Sequence, residues 1–197
     1  DIISADPFIK IYSDSNNINI HEKNRSFTSE EDGLKIVEGY INQYSKPYSE
    51  IPFIGGAIGY CSYEMKSKEK SNSVLPKLSM GIYDWALIID HFLQETYLVT
   101  TNVDNDTSKN WPTYIELFST LKANKTNDFN VKSDADDNLS FEAYRKKFSS
   151  VMEFLKEGDC YQINLSKQYK TLVDGDSWQF YKVFRNLNKS RYMAFLD

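Results

Sequence analysis

Apolar side chains fall at Phe141, Tyr144, Phe148, Val151 and Leu155, in alternating steps of three and four, so they line one side of a helix. Ser140 stands before the first of them as an N-cap, Glu142 lies in the first turn, and Gly158 closes the run. The period then changes to two. Tyr161, Ile163 and Leu165 point one way, and Gln162, Asn164 and Ser166 the other, which predicts a strand from Cys160 to about Val173. One face of that strand suits a core. The other carries two amides and a hydroxyl, neutral groups that orient a polar small molecule without pairing charge, or that simply face water. Gly175 and Asp176 turn the chain into a further helix carrying Trp178, Tyr181, Phe184 and Leu187, and a last strand begins near Tyr192.

Upstream, residues 2–20 read as two or three short strands separated by a turn at Asp14–Asn17. Thr28 or Ser29 is expected to cap a helix with Glu30, Glu31 and Asp32 in its first turn, Leu34, Ile36, Val37, Tyr40 and Ile41 on its apolar side and Pro47 after its end. Three glycines between Pro52 and Tyr60 lack the spacing of a phosphate loop, and a buried strand with close backbone approach explains them. Strands are expected from Ser79 to Asp90 and from Thr96 to Thr101, turning around His91–Glu95. The run Leu87-Ile88-Ile89 is that of a strand buried on both faces. His91 reads as a turn residue. Trp111, Ile115, Phe118 and Leu121 predict a helix over 108–121, with Pro112 in its first turn. Residues 124–138 are rich in Asn, Asp, Lys and Ser and read as a linker.

Of the 197 residues, 41% are hydrophobic and 15% aromatic, enough for a sizeable core. The net charge of -5 argues against nucleic acid as a partner. The run Lys66-Ser67-Lys68-Glu69-Lys70 is short and holds an acid, so it reads as a solvated loop. No apolar run reaches the roughly 20 residues needed to span a bilayer, and no signal peptide is seen. Cys61 and Cys160 are isolated, and His21 and His91 lie far apart. That excludes a disulfide framework and a zinc site, and it fits a reducing cytoplasm. Both ends run into strand-like sequence, so the chain is expected to be a piece of a longer protein.

Three blocks, in order, carry a resemblance. They are Pro52-Phe53 with Gly55-Gly56, Gly59-Tyr60 and Tyr63-Glu64; Gly81-Ile82-Tyr83-Asp84-Trp85-Ala86 through His91; and Leu139 to Ser166, ending in Gly158-Asp159-Cys160-Tyr161-Gln162. They resemble component I of the chorismate-utilising synthases, and within that family the aminodeoxychorismate branch rather than anthranilate synthase. The resemblance implies an α+β fold of mixed or antiparallel sheets covered by helices. It divides the chain into an N-terminal subdomain (1–123), the linker (124–138) and the start of a chorismate-binding core (139–197).

It also implies amination of chorismate by ammonia to 4-amino-4-deoxychorismate, on the path to p-aminobenzoate and folate. A glutamine amidotransferase is the implied ammonia source and magnesium the implied cofactor. The family's catalytic lysine motif and its magnesium-binding glutamates belong to a C-terminal half. No such motif stands in these residues, so no metal site is expected here and the chain by itself is expected to be inert. Family members that add water to chorismate carry a lysine base at the position of Gln162. Ammonia is already a nucleophile when neutral, so a non-basic amide there fits amination. The family's tryptophan pocket has one wall resembling Asn188–Met193, which makes Tyr192 and Met193 candidates for it, with Arg191 where proline is usual. Anthranilate synthase component I is the runner-up within the class, and a non-catalytic module that binds the amidotransferase or tryptophan is the alternative from another class.

Overall fold

The computed structural model describes residues 1–14, 17–44, 49–66, 75–120 and 128–197. They form two compact units, Asp1–Lys122 and Ala123–Asp197.

The first unit begins with the short strand β1 (Ile2–Ile3) and the hairpin of β2 (Ile9–Asp14) and β3 (Asn17–Glu22). β4 (Arg25–Ser29) and helix α1 (Gly33–Tyr44) follow. Then come β5 (Gly56–Cys61), β6 (Leu78–Tyr83), β7 (Trp85–Asp90), β8 (Glu95–Thr100) and helix α2 (Asn105–Ser119). Five strands make one antiparallel sheet in the order β4-β3-β2-β6-β5, and three make a second in the order β1-β7-β8. Alternation sets the register of the larger sheet. Ile9 and Ile11 are buried while Lys10 between them is exposed, and Ile11 sits opposite Ile20 on β3 and Met80 on β6. These residues meet Val37 of α1, Leu78 and Ile82 in the core. On the smaller sheet Trp85 is buried and stacks on Tyr114 of α2, with ring centroids 4.8 Å apart.

Four local expectations change here. The apolar run from 79 to 90 is two strands broken at Asp84, because that residue moves the chain from one sheet to the other. α1 starts later than predicted. Asp32 is its cap, its Oδ1 accepting the Leu34 and Lys35 N–H groups at 3.0 and 3.2 Å, so the acids before it lie outside the helix. α2 starts earlier, because Asp104 accepts the Thr107 N–H at 3.2 Å. Pro112 therefore lies inside the helix and leaves the Ser108 carbonyl without its helical donor. The glycine-rich strand is only half-buried, yet the close approach is real: a Cβ on Gly59 would stand 2.1 Å from the Ser79 carbonyl oxygen. The expectations on Ser15 and Asn16 of the first turn, on Pro47, on residues 67–70, on Leu121 and on 124–127 of the linker lie outside the described residues.

The second unit holds β9 (Phe129–Val131), β10 (Asp136–Asp137), helix α3 (Phe141–Glu157), β11 (Tyr169–Lys170), β12 (Val173–Gly175) and helix α4 (Ser177–Leu187). The polar stretch read as a linker thus supplies two strands, β9 pairing with β12 and β10 with β11, both antiparallel. α3 keeps its predicted ends. Ser140 accepts the Ala143 N–H, and Gly158 closes the helix in the left-handed conformation at φ 80°. Phe180 of α4 packs on Phe129 of β9 at 4.9 Å. None of the described residues of this unit is buried. Of the strand predicted from Cys160 to about Val173, only Tyr169–Lys170 and Val173 pair, and residues 160–168, like the predicted last strand at 192–197, have no ladder partner among the described residues; a strand exists only through its ladder.

Candidate functional site

Gln162 follows directly from the end of α3. The αL turn at Gly158 lets the Gly158 and Asp159 N–H groups both reach the Phe154 carbonyl, which closes the helix and directs the chain outward. Residues 160–168 then run without a ladder. Gln162, Asn164 and Ser166 are all exposed, as the polar face was expected to be. The apolar face departs from expectation, since Tyr161 is 99% and Ile163 39% exposed, with only Leu165 partly covered. The far end of the segment is anchored. Lys167 Nζ lies 2.7 Å from Asp137 Oδ2, and the Gln168 N–H donates to Asn138 Oδ1 at 3.0 Å. The Lys167 hydrogen bond holds the Asp137 carboxyl below the usual carboxylate range, and the same bond raises the Lys167 pKa.

Tyr192 and Met193 line a second feature. With Phe180, Tyr181 and Phe184 of α4 and with Phe195 they bound an open, largely apolar groove of about 440 Å³. Phe195 closes one side, 5.3 Å from Trp178 and 5.5 Å from Tyr181 between ring centroids. Such a lining takes a flat apolar or aromatic group. Arg191 is exposed and does not line the groove, so no guanidinium has to be buried for the groove to be filled. Gln162 is not among the groove's lining residues, so the two candidate features remain separate.

Sequence reasoning missed the role of Asp84. It is 2% exposed, and its Oδ2 accepts the Asp104 N–H at 2.9 Å while its Oδ1 accepts the Thr107 hydroxyl at 2.6 Å. Its carbonyl accepts from the Thr101 N–H at 2.8 Å and the Thr100 hydroxyl at 2.9 Å. The visible signal was an acid inside an apolar run, and its meaning is a joint between sheets. Beside it, Tyr83 helps to line a small pocket of about 140 Å³ with Phe8, Tyr44, Gly55 and Gly56. Burial raises the Tyr83 pKa, and the nearby Asp6 carboxylate adds to the effect. His91 sits in the β7–β8 turn with its Nε2 3.1 Å from Asp1 Oδ2. Cys61 and Cys160 are both free. Among the described residues there is no group of three or more His, Cys, Asp or Glu that could hold a metal ion. Among them, too, no helix is long and apolar enough to cross a membrane.

The capped helix α3, the glycine-rich strand and the two antiparallel sheets define a class. The profile of the family described as chorismate binding enzyme matches residues 4–197, and the chain belongs to that family. Within it, aminodeoxychorismate synthase component 1 of Escherichia coli (strain K12) is 30% identical over 206 residues, covering all of this chain and 44% of that protein. Anthranilate synthase alpha subunit 2, chloroplastic, of Arabidopsis thaliana is 25% identical, again over the whole chain and over 37% of its own length. The chain thus spans less than half the length of these relatives. A crystal structure of anthranilate synthase component I from Streptococcus pneumoniae TIGR4 superposes with a TM-score of 0.78 at 20% identity, over 99% of this chain and 47% of that one. The fold is therefore α+β, antiparallel sheets with helices, as the resemblance implied.

Proposed function

We propose that these residues belong to a longer enzyme that aminates chorismate with ammonia to give 4-amino-4-deoxychorismate, the precursor of p-aminobenzoate and folate. The observation that carries this reading is the 30% identity to an aminodeoxychorismate synthase component 1 over the whole chain, against 25% to an anthranilate synthase. The chemistry of Gln162 supports it. An amide accepts and donates hydrogen bonds at neutral charge, so it can orient ammonia without taking a proton, whereas water as nucleophile needs a base. In this reading Gln162 is the catalytic contact of this chain and acts by positioning. Magnesium, the lysine motif and the metal-binding glutamates are supplied by residues outside the 197, and a glutamine amidotransferase delivers the ammonia in the cytoplasm.

Product identification tests the reading. The complete polypeptide, given chorismate, ammonium and magnesium, is expected to form 4-amino-4-deoxychorismate, which added lyase converts to p-aminobenzoate on the chromatogram. Anthranilate as the main product would overturn it. The 197-residue chain under the same conditions is expected to leave chorismate absorbance unchanged, because chemistry at a ring carbon needs the acid-base and metal groups together.

A further inference from the structure

We infer that the Asp137–Lys167 ion pair sets the register of the segment that carries Gln162, which makes both residues positioning residues for the amination. The inference rests on the reading of Gln162 as the contact that orients ammonia. Asp137 serves two parts of the chain at once. Its Oδ1 accepts the Leu139 N–H at 3.1 Å, next to the Ser140 cap of α3, and its Oδ2 lies 2.7 Å from Lys167 Nζ. The start of the helix and the far end of the Gln162 segment therefore meet on one carboxylate. Its neighbour adds a second tie: the Asn138 N–H donates to the Gln168 carbonyl at 3.1 Å, and the Gln168 N–H donates to Asn138 Oδ1 at 3.0 Å. Lys167 Nζ also stands 5.2 Å from the ring centroid of Tyr169, the residue opposite Asp137 in the β10–β11 ladder.

Register matters because side chains alternate. A slip of one residue would turn Gln162, Asn164 and Ser166 to the face of Tyr161 and Ile163. The strands β10 and β11 are two residues long and exposed, and so short a ladder specifies register weakly. The ion pair makes the choice. A slipped segment sets Ser166 or Gln168, both uncharged, against Asp137 in place of Lys167. At period two Lys167 falls with Tyr161, Ile163 and Leu165, on the face opposite Gln162, so it acts through the backbone and not on substrate. The Lys167 and Asp137 side chains are 24% and 34% exposed, so the pair adds little to global stability. Choosing between two registers needs only a bias of a few-fold, which a pair of this kind supplies.

Steady-state amination by the complete polypeptide, with ammonium as nitrogen source, tests the inference. Lys167→Met is expected to lower kcat/KM for ammonium about 5-fold with the KM for chorismate unchanged, and Lys167→Arg to stay within about 2-fold of the parent. In a Gln162→Ala background Lys167→Met is expected to add no further loss, because the lysine acts only through Gln162. Asp137→Asn keeps an oxygen for the Leu139 N–H and is expected to repeat the pattern, which covers the case in which Lys167→Met fails to fold. Equal losses with and without Gln162 overturn the inference, since they mark general damage to the unit. A parent-like rate in Lys167→Met and Asp137→Asn, with the 4-amino product formed, overturns it alone and leaves the functional reading standing. Anthranilate as the product, with the same dependence on Gln162, leaves the register role standing and overturns the functional reading. A full rate in Gln162→Ala overturns the inference together with the role of Gln162.

Discussion

Asp84 shows how much one side chain can hold. It is a buried carboxylate served by a backbone N–H and a hydroxyl at the start of α2, the helix end where negative charge is favoured. Asp84→Ala removes both bonds and leaves the Asp104 N–H without its acceptor. The expected loss is about 3 kcal/mol of unfolding free energy in the first unit, read as the shift of a denaturant midpoint. A midpoint within error of the parent would show that the joint carries no stability. At Gln162 the expectation concerns rate. Gln162→Lys in the complete polypeptide is expected to weaken amination at least ~10-fold and to produce some hydroxylated product, provided desolvation leaves part of the lysine neutral. An unchanged amination rate with no hydroxylated product would remove Gln162 from the active site.

Among elements, the β5–β6 pair depends on one missing side chain. Gly59 faces Met80 across the ladder, and an added Cβ would stand 2.1 Å from the Ser79 carbonyl oxygen and 2.7 Å from the Met80 Cα. Both are backbone atoms that cannot step aside as a side chain can. Gly59→Ala is expected to destabilise the five-stranded sheet by about 3 kcal/mol. The check is a thermal melt with hydrogen exchange on 56–61 and 78–83, and parent-like protection there would contradict the clash. Gly39 on α1 makes the control, because a Cβ there meets nothing within 4 Å. Gly39→Ala is expected to be neutral or to stabilise by up to ~1 kcal/mol.

Across the whole molecule, charge sets a pH window. Arg25 donates to both oxygens of Glu22 and holds its carboxyl below the ordinary 4.5; burial pulls the other way, and the Tyr40 hydroxyl adds to the lowering. A depressed carboxyl contributes stability that is complete above its unfolded value and is lost as pH falls through the lower folded value. Tyr40 behaves oppositely. Burial first, and then the bond to Glu22, raise it above its ordinary 10, so its contribution is complete below that value and is lost as pH climbs through the folded one. The first unit is therefore expected to melt highest between these limits. The melting difference between the parent and Glu22→Gln is expected to shrink as pH drops below 4.5. A difference that holds constant down to pH about 2 would show that Glu22 titrates normally.

The sequence by itself determined those features whose signals are local. The ends of α3 were legible because an N-cap serine and a left-handed glycine act on their own helix within one turn. The β7–β8 hairpin was legible from its apolar runs around His91–Glu95, and the three family blocks were legible as residue patterns. Gln162 and the pair Tyr192 and Met193 were named as candidates from chemistry and resemblance, ahead of any geometry. Tertiary structure decided the rest. Period-two alternation over 160–168 states which faces a strand would have, but a strand forms only when another supplies the ladder, and the alternation names no partner. One apolar run from 79 to 90 became strands in two sheets because Asp84 finds its donors on α2, some 20 residues along the chain. The aromatic groove beside Tyr192 likewise exists only because α4 and residues 192–195 approach one another, a long-range contact that no local spacing encodes.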